Sequence, residues 1–394
     1  MRLEPIRVSI EKTGNGVSMR STVGTIDIIT DHPSNCNSAD QCDYAAWYFL
    51  PVSMRLNRPL HIVGSGTPTT KRNWQKLSEI WQSWLPGHFY ASQLSFEHQE
   101  TIAKVRNSSL PDLMFFSGGL DAAYLGLQRL EENKSQHLLT VQGMDYSLDD
   151  QRRFDALISK TESFAQKLSD TRIVVKSNAY QLYNKFGVNL HRHHLSHIFA
   201  LAGASFFHSR FYSNAFLADD EPLAAQFSFF PWGTNVITNS FFDDGSFKII
   251  ETSQGVSRIE KLELVRTSKM AMHSLAFCWN RKIQPQNCGV CEKCLRTKLL
   301  GLAKFGAVLD IFLDRSIPPN WAEILNYRTR EGFFILQEIL IIAQKSGNSE
   351  LFPDFDHVVD RIFRFHRRLR QITRYWPAFL TPEIVARLTS RFLR

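Results

Sequence analysis

The chain has 394 residues, enough for two or three domains around a large core. With 43% hydrophobic and 21% charged residues it has a globular composition, and its formal charge of +8 favours acidic partners. Six cysteines do not make a disulfide scaffold, and the longest strongly apolar stretch, Phe333–Ala343, is broken by Gln337 and Glu338 and too short to span a bilayer.

Met1–Ile10 carries charges and no apolar core, so no secretory signal is expected and the protein is placed in the cytoplasm, away from membranes. Residues 1–110 read as an α+β N-terminal extension. Ile6–Ile10, Gly24–Thr30 and His61–Val63 are strand-like pieces between turn clusters. Gly64-Ser65-Gly66-Thr67-Pro68 reads as a plain loop without a phosphate motif. Trp74, Leu77, Ile80, Trp81 and Trp84 fall at helical spacing and predict a core-facing stripe. Cys36 and Cys42 read as ordinary thiols.

Residues 111–312 alternate strand and helix patterns. Met114–Phe116 is apolar enough for a buried parallel strand, and Ala122–Leu130 has helical spacing. Between them lies Ser117-Gly118-Gly119-Leu120-Asp121. A strand–turn–helix unit leaves free N–H groups at the helix start, where the dipole favours anions. Two glycines permit close approach to a phosphate, and Ser117 adds a hydroxyl. Asp121 can orient the loop or hold Mg²⁺. No Lys-Ser or Lys-Thr follows, so this is not a Walker loop, and the third glycine of a dinucleotide fingerprint is missing. The plain alternative is an ordinary tight turn.

Leu138–Val141, Arg172–Val175 and Arg210–Ser213 read as further strands, and Asp150–Leu168 and His194–Phe207 as helices. The alternation predicts a doubly wound parallel sheet, with nucleotide at the carboxyl ends of the strands near the switch point. His191, His193, His194 and His197 are crowded. His193 and His197 share a helix face, as metal ligands can, but no carboxylate nearby completes a site. They read as solvated or core histidines, with a substrate contact by His197 as the alternative. Pro231-Trp232-Gly233-Thr234-Asn235, then Asn239, form a polar loop. Ser257-Arg258-Ile259-Glu260-Lys261 opens a helix whose Arg258 and Lys261 suit an anionic ligand; the alternative is a capped helix with solvated charges.

Cys288, Cys291 and Cys294 form two overlapping C-x-x-C units, and Cys278 precedes them. Four thiolates at such spacing suit structural Zn²⁺, with an iron–sulfur cluster as the minor option. Residues 313–394 read as a helical, basic C-terminal region. In Asp356–Trp376, Arg361, Arg364, Arg367, Arg368, Arg370 and Arg374 alternate with Phe363, Phe365 and Tyr375. Such a helix grips nucleic acid or an acidic protein, or packs its apolar face on the surface.

Ser117–Asp121 resembles the PP-loop of ATP pyrophosphatases, which cleave ATP between the α and β phosphates and adenylate a substrate. The order PP-loop, cysteine, then Cys-Gly-x-Cys-x-x-Cys resembles the 7-cyano-7-deazaguanine synthases, over about residues 110–310. The resemblance implies a Rossmann-like, adenine nucleotide alpha hydrolase-like parallel sheet with one zinc on four cysteines. It implies that ATP and Mg²⁺ bind at Ser117, Gly118, Gly119, Leu120 and Asp121. Gly143, in Gln142-Gly143-Met144-Asp145 after the second strand, is implied to contact adenine or ribose. Ser117, Asp121, Arg258 and Lys261 are implied to serve the chemistry. The implied substrate is a small carboxylate such as 7-carboxy-7-deazaguanine, turned into an amide and then a nitrile. The superfamily usually has Ser where Ala122 stands. The flanking regions make this an enlarged relative, of the kind known from antiphage defence operons, where the acceptor can be a protein amine. Asparagine synthetases join a glutaminase to a PP-loop domain, but that glutaminase needs an N-terminal cysteine and residue 2 is Arg2. Free ammonia or a partner is therefore expected to supply nitrogen. A tRNA-modifying PP-loop enzyme and an inactive nucleotide-binding scaffold are the competing readings.

Overall fold

Among the residues described by the computed structural model (3–32, 41–100, 109–189, 195–226, 232–252 and 255–373), ten strands join in one mixed sheet. The first five are β1 (Ile6–Thr13), β2 (Gly16–Ser21), β3 (Thr25–Thr30), β4 (Leu60–Gly66) and β5 (Leu94–Gln99). The others are β6 (Asp112–Phe115), β7 (Gln136–Gln142), β8 (Arg172–Ser177), β9 (Ala215–Ala218) and β10 (Ile249–Thr252). Their order is β10-β9-β6-β7-β8-β3-β2-β1-β4-β5. The β10-β9-β6-β7-β8 half is parallel throughout. β3 joins β8 antiparallel, β2 and β1 follow antiparallel, and β4 and β5 return to parallel pairing. The result is an α/β fold with a largely parallel sheet.

The sheet is flanked by α1 (Asp43–Leu56), α2 (Pro68–Trp84), α3 (Leu120–Glu131), α4 (Gln151–Leu168), α5 (Ala179–Lys185) and α6 (His197–Phe206). The short helices α7 (Leu223–Gln226) and α8 (Val236–Asn239) precede α9 (Arg258–Arg266) and α10 (Lys269–Ser274). These elements belong to one compact unit reaching Ser274; a second unit runs from Leu275 and is helical, with α11 (Glu292–Phe305), α12 (Trp321–Ile324), α13 (Arg330–Lys345) and α14 (Phe355–Thr373). This division differs from the boundaries expected near 110 and 312. Strands from both sides of residue 110 share the sheet, because β3 pairs with β8.

Local chemistry explains where sequence patterns succeed. Trp74, Leu77 and Trp81 of α2 are fully buried, as the stripe predicts. Asp150 caps α4 by accepting a bond from the Arg153 N–H. Two expectations need correction. Gly64–Gly66 is not a loop but the end of β4, and a side chain on Gly66 would strike the Phe96 ring of β5. Thr67 then caps α2, with Pro68 at its first position. The strand expected at Arg210–Ser213 begins instead at Ala215; Ser209–Phe211 is a 3₁₀ turn. The Tyr212 hydroxyl is engaged by His137, at 3.0 Å, and His32, at 3.2 Å.

Among the described residues no helix is long and apolar enough to cross a membrane. Cys36, His191, His193, His194, Pro231, Arg374 and Tyr375 lie outside the described residues.

Candidate nucleotide site and metal centre

β6 is the strand from which the parallel half of the sheet winds both ways. Chain order runs β6-β7-β8 in one direction and β6-β9-β10 in the other. The crevice at the carboxyl ends of β6 and β9 is thus a topological switch point, where open sheets of this kind bind ligands. Ser117–Asp121 sits there. Leu113 and Met114 of β6 are fully buried, which fixes the strand, and Ser117 emerges exposed. Gly118 has φ of 77°, a left-handed conformation that favours glycine. Gly119 caps α3 with no side-chain hydrogen bond. Its N–H donates to Ser117 Oγ at 3.3 Å. The helix start therefore keeps its capacity for an anion.

The structure brings three of the distant site residues together. Ser257 caps α9 in a capping box with Glu260, which aims the first turn of α9 at α3. Arg258 Nη1 lies 3.3 Å from Asp121 Oδ2, and Lys261 Nζ lies 2.9 Å from Asp121 Oδ1. Lys261 is fully buried and also donates to the Asp219 carbonyl oxygen. Asp121 is thus a clamp between two cations.

Gly143 lies at the end of β7, on the same edge. Its φ is 111°, and a Cβ there would collide with the Ser177 carbonyl oxygen at the end of β8. Glycine is required at this position by packing alone. Ala122 is buried in the first turn of α3.

A polar cluster missed by the sequence pattern borders this crevice. Asp219 follows β9 and is fully buried; Glu251 lies in β10, paired with β9. Burial, and then the neighbouring Asp219, push the Glu251 carboxyl far up; burial also pushes Asp219 up. At the half-exposed Asp220, Trp232 Nε1 donates to Oδ2 at 3.3 Å, and His197 Nε2 lies 3.9 Å away. His197 shares a hydrogen bond with Thr234 Oγ1. Asn235 caps α8 through its side-chain oxygen. The clue in the sequence was Asp219-Asp220 directly after the apolar Ala215–Ala218.

In the second unit, Cys278, Cys288, Cys291 and Cys294 converge, with their Sγ atoms all within 4.8 Å of one another. The Cys278 and Cys291 sulfurs are 3.9 Å apart, far longer than a disulfide, and none of the four is bonded to another. A tetrahedron of thiolates around zinc has an edge of about 3.8 Å, from Zn–S bonds near 2.3 Å. Backbone N–H groups of Val290 and Cys291 donate to Cys288 Sγ at 3.3 and 3.2 Å, and the Asn280 N–H donates to Cys278 Sγ at 3.3 Å. Gly289 has φ of 81°, and a Cβ there would strike the Asp314 carbonyl oxygen. Bonds from Cys278, and then Cys294, hold Cys291 toward thiolate. Lys298 adds a positive charge nearby; its Nζ donates to the Ser316 oxygen at 2.5 Å. The donor set fits a closed structural metal site.

No family model, curated protein or solved structure matches this chain.

Proposed function

We propose that the protein is an ATP-dependent ligase of the PP-loop kind, with a Rossmann-like, adenine nucleotide alpha hydrolase-like domain and a structural zinc. The observation that carries this reading is the Ser117–Asp121 loop at the switch point, with a helix start that has no side-chain cap and the Asp121–Lys261–Arg258 cluster behind it. ATP would lie with its phosphates on the loop, and Mg²⁺ would neutralise the leaving pyrophosphate. A carboxylate of the substrate attacks the α phosphorus, and pyrophosphate leaves. A nitrogen nucleophile then attacks the acyl carbon and displaces AMP. No side-chain nucleophile is required.

The order of loop and cysteines, by its resemblance to 7-cyano-7-deazaguanine synthases, supports a deazaguanine acid as the substrate. In a defence setting the acceptor would be a protein amine. Zinc at the four cysteines would hold their segment folded and take no part in the chemistry.

A second, macromolecular substrate or partner is favoured by α14. Arg364, Arg367 and Arg368 are exposed on that helix beside the exposed Phe363. Such a face suits an acidic protein or a nucleic acid, including tRNA.

The test is to incubate the purified protein with ATP, Mg²⁺ and 7-carboxy-7-deazaguanine, with and without ammonium, and follow pyrophosphate. Pyrophosphate release that depends on the acid supports the reading. Tight ATP binding without turnover on any carboxylate or partner supports a nucleotide-binding scaffold instead.

A further inference from the structure

β5 is the last strand of the sheet, seven places from β6 and its loop. Between β5 and α2 lies a groove of about 780 Å³. Its two walls carry different chemistry.

The α2 wall is cationic. Thr70, Trp74, Leu77, Ser78 and Trp81 turn inward and are buried, so residues 71, 72, 75, 76 and 79 share the outer face. Lys71, Arg72 and Lys76 line the groove and are exposed. Among the described residues no carboxylate pairs with any of the three, and the Arg72 guanidinium reaches only Thr69 Oγ1, at 3.4 Å. Glu79 is the one acid in the lining, and Gln75 Nε2 donates to it at 2.7 Å. The groove thus sets three unpaired cations against one carboxylate that is already engaged.

The β5 wall offers backbone. The Leu60 N–H donates to the Gln93 carbonyl oxygen at 2.8 Å, and Leu60 stands opposite Leu94. In a parallel ladder, alternate residues of a strand turn both backbone groups to the same neighbour. Gln93 and Ser95 therefore face β4, while the N–H and C=O of Leu94 and Phe96 face outward. No strand among the described residues pairs on that side. A strand edge with free backbone groups is a template for a further strand.

Together the walls select one occupant. The free edge of β5 calls for an extended peptide. Arg72 and Lys71 precede Lys76 by four and five residues, about 6 to 7.5 Å along the helix. Side chains on one face of a strand repeat at about 6.6 Å. Acidic side chains at alternate positions of an added strand therefore match the spacing of the cations. A nucleic acid fits less well, because no lining residue is aromatic and single strands bind largely by stacking.

We propose that the groove between α2 and β5 docks an acidic, extended segment of a partner protein, which pairs with the outer side of β5 and sets its carboxylates against Lys71, Arg72 and Lys76. This surface is separate from the basic face of α14 and does not depend on nucleotide chemistry.

The test uses the full chain and a fluorescein-labelled peptide of alternating glutamate and valine, followed by fluorescence anisotropy. Saturable binding that weakens at high salt is expected. The combined variant Lys71→Gln, Arg72→Gln and Lys76→Gln, with its fold checked by circular dichroism, should weaken it by about tenfold or more. Two further peptides carry N-methyl groups on the glutamates or on the valines. An added strand bonds through one side only, so one methylated peptide should bind and the other should not. No saturable binding, or equal binding of the two methylated peptides, overturns strand addition. An unchanged affinity in the triple variant removes the cations from the site. Displacement of the peptide by an equal concentration of oligothymidylate would assign the groove to nucleic acid instead. Dimerisation of the unaltered chain in sedimentation, lost in the triple variant, would assign it to a second copy.

Discussion

Lys261 Nζ stands 2.9 Å from Asp121 Oδ1, so two side chains 140 positions apart tie the start of α9 to the start of α3. Lys261 is fully buried and Asp121 is 19% exposed. Removing Asp121 would leave a buried ammonium short of a partner. Asp121→Ala should therefore cost about 3 kcal/mol in urea unfolding. Adding Lys261→Met should restore part of that, with a coupling of roughly 1–3 kcal/mol in the double-mutant cycle. Additive costs would mean the pair is not a unit.

The two site glycines should behave differently. Gly119 has φ of −77°, and a Cβ there meets only Ser117 Oγ at 3.3 Å. Gly119→Val should keep the fold, losing about 1 kcal/mol, but abolish ATP binding measured by calorimetry. Gly143→Ala should instead cost about 3 kcal/mol of stability, because a Cβ collides with the Ser177 carbonyl at a left-handed φ. Normal ATP binding by Gly119→Val would move the phosphate site elsewhere.

Stability should carry a mark of Asp244. Burial, and then the neighbouring Asp43, push its carboxyl up to about 6 from a usual 3.8. A raised acid favours the folded state while protonated. That contribution is full below the unfolded value and is lost as pH rises through about 6. The stability of the unaltered protein relative to Asp244→Asn should thus fall by on the order of 2 kcal/mol between about pH 4 and about pH 7. Parallel pH curves would show that Asp244 titrates normally.

The same contrast between strong and weak patterns runs through the whole chain. The β6–loop–α3 unit was readable because an apolar strand, two glycines and a periodic helix occur together. The cysteine cluster was readable because short C-x-x-C spacing leaves few geometries. By contrast, α1 is buried from Asp43 to Met54 and shows no polar face to mark a helix. Strands β2 and β5 were missed, and so was the way the N-terminal strands extend the parallel half into one sheet. That joining depends on β3 meeting β8, a long-range pairing with no local signature. Arg258 and Lys261 were named from their helix start. Their convergence on Asp121, and the Asp219–Glu251 pair, came only from the fold.

The metal should be essential to the second unit. Cys291 provides one of four sulfurs gathered within 4.8 Å and sits at the start of α11. Cys291→Ser should lose zinc and destabilise this unit by on the order of several kcal/mol, because metal binding is coupled to folding. Metal analysis by mass spectrometry together with thermal unfolding checks this. Protein without zinc but with an unchanged transition would contradict a structural role.

The most direct measurement of the central claim follows oxygen. The substrate acid is labelled with ¹⁸O in its carboxylate and incubated with ATP, Mg²⁺ and ammonium. If the carboxylate attacks the α phosphorus at the Ser117–Asp121 loop, the AMP formed carries one ¹⁸O from the acid, with pyrophosphate as the other product. Unlabelled AMP, or ADP and phosphate from the first ATP consumed, would contradict adenylation.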